Sequence, residues 1–412
     1  MILPAGAAAE ARLLLGARAL RAFVDGFISV LLPAYLLALG LGALAVGVVS
    51  AATLLGSATL TLLLGAHGHR FHHRPLLLGS ALLMAATGLL FAGLSSFWPI
   101  LLVAFFGTIN PSSGDVSVFL PLEHARLAEA AQGNDRTRLF ARYTLAGALF
   151  AALGSLMAGL PDLLMHQGWK RLDSLRLMFL LYALAGCAVW LLYRRIPEPA
   201  APQERPAPPA PLKASRGIVV RLATLFSIDA FAGGLVLNSL LALWLFERFG
   251  LSLAAAGMFF FWAGLLSAFS QLAAPWVARR IGLINTMVFT HIPSSVFLIL
   301  AALAESLPWA LGLLLARSAL SQMDVPTRSA FVMAVVTPEE RTAAASFTAV
   351  PRSLAAAVSP SLGGAMFTAG WLAAPLVICG VLKIAYDLAM LKAFRSHRGI
   401  DASAEHPLAE RR

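Results

Sequence analysis

Apolar residues fill this chain in runs of about 20, separated by short polar, glycine-bearing or proline-bearing interruptions, from residue 18 to residue 394. A helix rises about 1.5 Å per residue, so each run is long enough to cross the roughly 30 Å of hydrocarbon in a bilayer. The pattern predicts twelve helical spans, at about residues 18–39, 43–66, 75–95, 98–121, 137–160, 174–195, 218–246, 251–275, 281–304, 308–333, 342–368 and 371–394. The segment before Arg21 has no short apolar core followed by a cleavage site, and a full-length span follows it, which predicts an uncleaved anchor.

Composition agrees with a polytopic membrane protein, because 59% of the 412 residues are hydrophobic and 12% are charged, far from the balance of soluble domains. The net charge of +11 does not point to nucleic acid, since its distribution follows topology. With both termini inside, Arg12, Arg70, Arg74, Arg126, Arg136, Arg194, Arg195, Lys213, Arg216, Arg279, Arg280, Arg341, Lys392, Arg395 and Arg398 fall on the cytoplasmic face. The other face receives little beyond Lys170, Arg171, Arg176 and Arg248. This asymmetry is expected of a multi-pass protein of the cell (inner) membrane with cytoplasmic ends. The two cysteines, Cys187 and Cys379, lie inside spans and imply neither a disulfide framework nor a thiolate metal site.

Seven prolines between Pro197 and Pro211 favour an extended, solvated linker. They divide the chain into an N-terminal bundle (1–195), a cytoplasmic linker (196–217), a C-terminal bundle (218–395) and a cytoplasmic tail (396–412). The two bundles repeat weakly in sequence: a shift of 204 lays Asp25 on Asp229, Phe27 on Phe231 and Leu36 to Leu39 on Leu240 to Leu243. A shift of 210 lays Gly47 on Gly257 and Arg70 on Arg280, and Asp115 pairs with Asp324.

Those four aspartates carry the functional expectation. A carboxylate deep in a bilayer costs about 2.5–3.5 kcal/mol on insertion scales, so it persists where a cavity, a partner or a proton compensates. Arg21 precedes Asp25 by four residues and Arg328 follows Asp324 by four, so these two acids can be neutralised on their own helix. Asp115 and Asp229 have no basic residue within a turn and are expected to be protonated, hydrated or paired across helices. The distant partners expected for them are Arg142, Arg317 and Arg352. The Asn110-Pro111 pair and Pro326 predict kinks near the acids of spans 4 and 10. Asn238, Phe259, Trp262 and Gln271 are candidates to line a substrate site.

Twelve spans in parallel halves joined by a cytosolic linker resemble the major facilitator superfamily, and the resemblance covers nearly the whole chain. It implies an all-α membrane fold of two pseudo-symmetric six-helix bundles, with helices 1, 4, 7 and 10, the four that carry the aspartates, lining a central cavity. The superfamily's loop between helices 2 and 3 is framed here by Gly65, Arg70 and Arg74, with His69 in place of the usual acid. Its glycine signature of helix 5 is thinly represented by Gly147, Gly154 and Gly159, and Ser359 to Gly364 looks like a displaced version. Arg70 and Arg74, retained in that loop, and Arg142, Arg328 and Arg352, bases placed to meet the aspartates, are the gating candidates, whereas the aspartates carry protons, belong to the gates, or both.

No GxxxxGK[ST] loop is present to bind nucleotide, so an ion gradient is the expected energy source and no cofactor is implied. The expectation is a monomeric secondary transporter in the lipid bilayer, not an enzyme, exporting a drug-like or toxic small molecule against protons, with proton-coupled uptake of a nutrient or vitamin as the alternative. His67, His69, His72 and His73 lie close together, and a membrane metalloenzyme built on them, or a sensor that transports nothing, are the readings from other classes.

Overall fold

The computed structural model describes residues 9–67, 72–112, 118–130, 133–197, 212–213, 215–337 and 340–394. Among the described residues every regular element is helical. In chain order α1 (Ala9–Ala38), α2 (Ala43–His67) and α3 (His73–Gly93) are continuous. The fourth expected span is split into α4 (Phe97–Phe106) and α5 (Phe119–Ala130). Next come α6 (Gly133–Leu156), a 3-10 turn at Met157–Gly159, α7 (Leu160–His166) and α8 (Arg171–Arg194). The seventh span is divided into α9 (Arg216–Gly234) and α10 (Asn238–Phe249), whereas α11 (Leu253–Ile281) and α12 (Leu283–Leu303) run unbroken. The tenth is divided into α13 (Leu307–Leu320) and α14 (Asp324–Val335), followed by α15 (Arg341–Thr368) and α16 (Ala374–Phe394). Nine helical stretches among the described residues are long and apolar enough to cross a membrane.

The expected kinks in spans 4 and 10 are therefore breaks, and span 7 breaks as well. At ten residues, α4 covers only about 15 Å, half a bilayer. Beyond it Asn110 Oδ1 accepts from the amide and hydroxyl of Ser112, at 3.0 and 2.8 Å, a local turn that competes with helical bonding. The Pro111 carbonyl, which helix would otherwise use, accepts the Ser239 amide at 3.0 Å. Span 7 breaks after Gly234, where a Cβ would collide with Ser359 Oγ and the Ala356 carbonyl.

Packing groups the chain into two compact units, one of Met1–Arg205, Val236–Leu265 and Pro360–Leu372, the other of Pro206–Leu235, Leu266–Ser359 and Ala373–Arg412. In the first, α1 is buried along most of its length and packs against α2, α6, α8 and α10. In lipid the apolar side chains gain little by leaving their solvent, so helices associate through close backbone approach at small residues. Gly26 of α1 meets the Ala151 carbonyl of α6, and Gly154 of α6 meets the Phe23 carbonyl of α1, with no room for a side chain at either. Gly147 accommodates the Arg18 guanidinium in the same seam. Gly159, where a Cβ would come within 3.1 Å of Ala254 Cα, completes the set, so all three helix-5 glycines sit at close contacts.

In the second unit α9, α12, α14 and α16 surround a core that includes Phe226, Met287, Val288, Phe331, Met390 and Phe394. The Phe331 and Phe394 rings meet edge-on at 5.3 Å. This core leaves polar side chains of the same four helices facing one another.

Candidate functional site

Those polar side chains form a buried chain of charge in the second unit. Asp229 of α9 accepts from Lys383 Nζ of α16 at 2.7 Å through one oxygen and from Arg328 of α14 at 3.2 Å through the other. Arg328 also pairs with Asp324, four residues earlier on α14. At the far end His291 of α12 presents Nδ1 to both oxygens of Asp387 on α16, at 3.1 and 3.0 Å. Its Nε2 lies 3.3 Å from Lys383 Nζ and 3.9 Å from Asp229 Oδ1. All six side chains are at least 88% buried, Lys383 being the most exposed at 12%. The Tyr386 ring sits edge-on to His291 at 6.2 Å.

Such a cluster is held together by mutual need. Removing one partner of a buried ion pair strands the other charge, at a cost of about 3–5 kcal/mol. Asp229 is central, since it alone is bonded by cations from two other helices, and any change in its charge alters the ties of α9 to α14 and α16 together. On α9 and α16 the residues beside this chain, Ile228 and Leu382, contribute with Thr224, Ser227, Phe231 and Phe347 to a cleft of about 560 Å³.

The first unit holds a smaller network. Glu123 of α5 is wholly buried and accepts from Arg21 of α1, from Tyr143 of α6, and from Tyr193 of α8 at 2.6 Å. The Arg21 guanidinium also lies 4.1 Å over the Phe119 ring, a cation–π contact that stabilises a desolvated charge. Nearby, Arg126 reaches Glu10 at 2.6 Å and the Pro197 carbonyl at 3.0 Å.

Two expectations are corrected by these geometries. Arg21 bonds Glu123 instead of neutralising Asp25, because a carboxylate that also gathers two tyrosine hydroxyls offers a better-satisfied pair than a neighbour one turn along the helix. Asp25 is buried and, among the described residues, makes no hydrogen bond or ion pair; Arg21 and Arg18 act on it electrostatically. For Asp229, pairing across helices is the outcome, but its partners are Arg328 and Lys383, not Arg142, Arg317 or Arg352. Among the described residues Arg142 keeps a buried Nη1 without a hydrogen-bond partner, Arg317 interacts with Cys379, and Arg352 is exposed and reaches the cluster through its field. The Arg328–Asp324 pair forms as its spacing predicts.

Asp115 and Arg70 lie outside the described residues, as do residues 68–71 of the histidine-rich loop. Arg74 donates to the Arg194 carbonyl at 2.8 Å. Asn238 is half-buried at the start of α10. Phe259 is buried against Phe260, with ring centroids 5.0 Å apart, while Trp262 is 48% exposed. Gln271, in the second unit, donates to Gln322 at 3.4 Å. None of these four lines the cleft beside Ile228 and Leu382. Among the described residues no group of three or more His, Cys, Asp or Glu is placed to hold a metal.

Sequence reasoning missed Lys383, Asp387 and His291. The signal was available: Lys383 and Asp387 stand four apart inside the apolar 374–394 helix, the same pattern that singled out Arg21 and Asp25, and the set of apolar-segment aspartates is incomplete without Asp387. His291 gave a weaker signal, since a lone histidine in an apolar helix has a core role more often than a functional one.

Broken apolar helices that carry buried, mutually paired charges define a class, the secondary transporters. The profile of the Major Facilitator Superfamily matches residues 14–321, and the chain belongs to that superfamily. An uncharacterized membrane protein of Saccharomyces cerevisiae is 26% identical over 431 aligned positions, spanning 96% of each chain. Among solved structures, a D-xylose–proton symporter is similar with a TM-score of 0.74 at 17% identity, over 93% of this chain and 96% of that one. The nucleoside transporter NupG gives 0.70 at 14% identity, over 94% and 100%. A bacterial homolog of the human lysosomal transporter Spinster, inward-facing and unoccupied, gives 0.68 at 15%, over 96% of each. At these identities the structural likeness is one of fold. The protein is a multi-pass membrane transporter of the secondary active kind, not an enzyme.

Proposed function

We propose that the protein couples proton movement to the transport of a small molecule, and that the Asp229 cluster is the coupling element. The supporting observation is the double bonding of Asp229 by Arg328 and Lys383 from two other helices. A proton arriving at the cluster changes the attraction that draws α9, α14 and α16 together, which links proton occupancy to helix arrangement. Asp324 takes part through Arg328, while Asp25, and Asp115 by its place in the sequence repeat, are the proton-coupling candidates of the N-terminal bundle. Arg70, Arg74, Arg142, Arg328 and Arg352 are assigned to gating, and Asn238, Phe259, Trp262 and Gln271 to substrate contact.

The direction we put first is export of a drug-like or toxic compound by a monomer in the cell inner membrane, both termini cytoplasmic, the two six-helix halves alternating access. A second reading, uptake of a nutrient, is favoured by the likeness to a D-xylose–proton symporter. The test is reconstitution in liposomes with an internal pH dye and pooled metabolites and drugs. Compound-dependent proton movement is expected from the natural chain and its absence from Asp229→Asn; equal movement by both overturns the role of Asp229. The sign of the pH change on adding compound outside or inside separates export from uptake.

A further inference from the structure

The cluster around Asp229 contains three carboxylates and two permanent cations: Asp229 pairs with Lys383 and Arg328, Asp324 with Arg328, and Asp387 meets the His291 ring. With a neutral imidazole it is one positive charge short, and one proton completes it. Asp229 and Asp324 are poor places for that proton, because neutralising either withdraws the acid from a buried guanidinium or ammonium and strands that cation. His291 carries a smaller penalty: its Nδ1 already faces both oxygens of Asp387, so an imidazolium there has a buried counter-ion of its own, and the cation it displaces from Asp229 is Lys383, the most exposed member of the cluster.

The other nitrogen makes the event consequential. The carboxylate at Nδ1 selects that nitrogen as the protonated one in the neutral ring, leaving Nε2 to accept from Lys383 at 3.3 Å. A proton on Nε2 turns this contact into two donors of like charge facing each other. Asp229 Oδ1, the oxygen Lys383 holds at 2.7 Å, is only 3.9 Å from Nε2. We propose that His291, held by Asp387, takes up the transported proton, and that its protonation moves Asp229 Oδ1 from Lys383 to His291. The proton comes from water on one side of the membrane, forms an N–H bond at Nε2, and returns to water on the other side when Lys383 reclaims Asp229; no other covalent bond changes. Lys383, the most exposed member of the cluster, is the cation set free.

The remaining charged and titratable groups facing His291 do not replace it. From α16 this is Tyr386, edge-on to the ring, while Cys379 acts electrostatically on Lys383, Asp229 and Arg317 of α13. From α14 they are Arg328 and Asp324, already paired to each other. Arg352 of α15 is exposed and, among the described residues, hydrogen-bonds no member of the cluster.

This inference rests on proton coupling at Asp229, and the test separates the two. The full chain, 15N-labelled at its histidines and held in detergent micelles, is titrated by NMR, with His291→Gln used to assign the His291 signal. The expected result is a neutral ring protonated at Nδ1 that gains a second N–H on acidification. The proton concentration at the midpoint is expected to differ by about tenfold or more between Lys383→Met and Asp387→Asn, since one removes a like charge and the other a counter-ion. A His291 ring that keeps one protonation state from about pH 5 to pH 9 overturns the proposal. In the liposome assay, proton movement lost in Asp229→Asn but retained in His291→Gln overturns this proposal and leaves the coupling role of Asp229 standing. No proton movement by the natural chain overturns both.

Discussion

Glu123 and Asp229 are both buried acids that accept from basic side chains on other helices, yet their surroundings differ in kind. Glu123 is closed on one arginine and two tyrosine hydroxyls, groups that keep their protons at any physiological pH. Every donor in that network is permanent, so its geometry has one stable arrangement. Asp229 sits in a chain that ends in an imidazole, where lysine and histidine nitrogens compete for the same carboxylate oxygen. In the arrangement we propose for the protonated ring, His291 takes the oxygen that Lys383 holds here. The comparison teaches that burial and pairing alone do not mark a coupling site; a titratable donor within reach of an alternative acceptor does.

The sharpest way to break the comparison is to exchange the consequences of losing each acid. Asp229→Asn is expected to lower gradient-driven transport by roughly a hundredfold or more, an interaction-energy loss of about 3 kcal/mol expressed in function. Flux measured in liposomes with an imposed pH gradient reads this, and undiminished flux removes Asp229 from the coupling element. Glu123→Gln is expected to act on the fold instead, stranding Arg21 at a cost of about 3–5 kcal/mol. Thermal unfolding in detergent checks it: a midpoint no lower than that of the natural chain would show that Glu123 is not the anchor.

Smaller changes sharpen the same contrast. Gly154→Leu places a side chain against the Phe23 carbonyl and is expected to cost about 1–3 kcal/mol by forcing α1 and α6 apart, read as a lowered unfolding midpoint; an unchanged midpoint would mean the seam yields freely. Tyr193→Phe removes one of three donors to Glu123 and is expected to cost about 1 kcal/mol with transport retained. Smallest is Arg352→Glu: the side chain is exposed and its effect on stability is expected below about 1 kcal/mol. Its reversed charge acts on the field at Asp229 and Asp324, so reactivity of cysteines introduced on each face is expected to change, and identical labelling would take Arg352 out of the gate.

Much of the architecture follows from the sequence because its causes are local. A run of about 20 apolar residues has to satisfy its own backbone hydrogen bonds in lipid, so helices and their approximate limits follow from hydropathy alone. Asn110-Pro111 and Pro326 announced disturbed helices near two of the acids, and the Asp324–Arg328 pair followed from a four-residue spacing. The same spacing failed at Asp25, because Glu123, 102 residues from Arg21, gathered that arginine together with two tyrosines. Which of several bases would meet Asp229 was a matter of tertiary structure: Arg328 and Lys383 lie 99 and 154 residues from it, and the histidine that bridges to Lys383 is 92 residues from that lysine. Chain-local rules rank contacts along one helix, whereas the pairing of buried charges is decided by which helix faces the packed glycines and apolar cores bring together, and by the large cost of leaving any one of those charges alone.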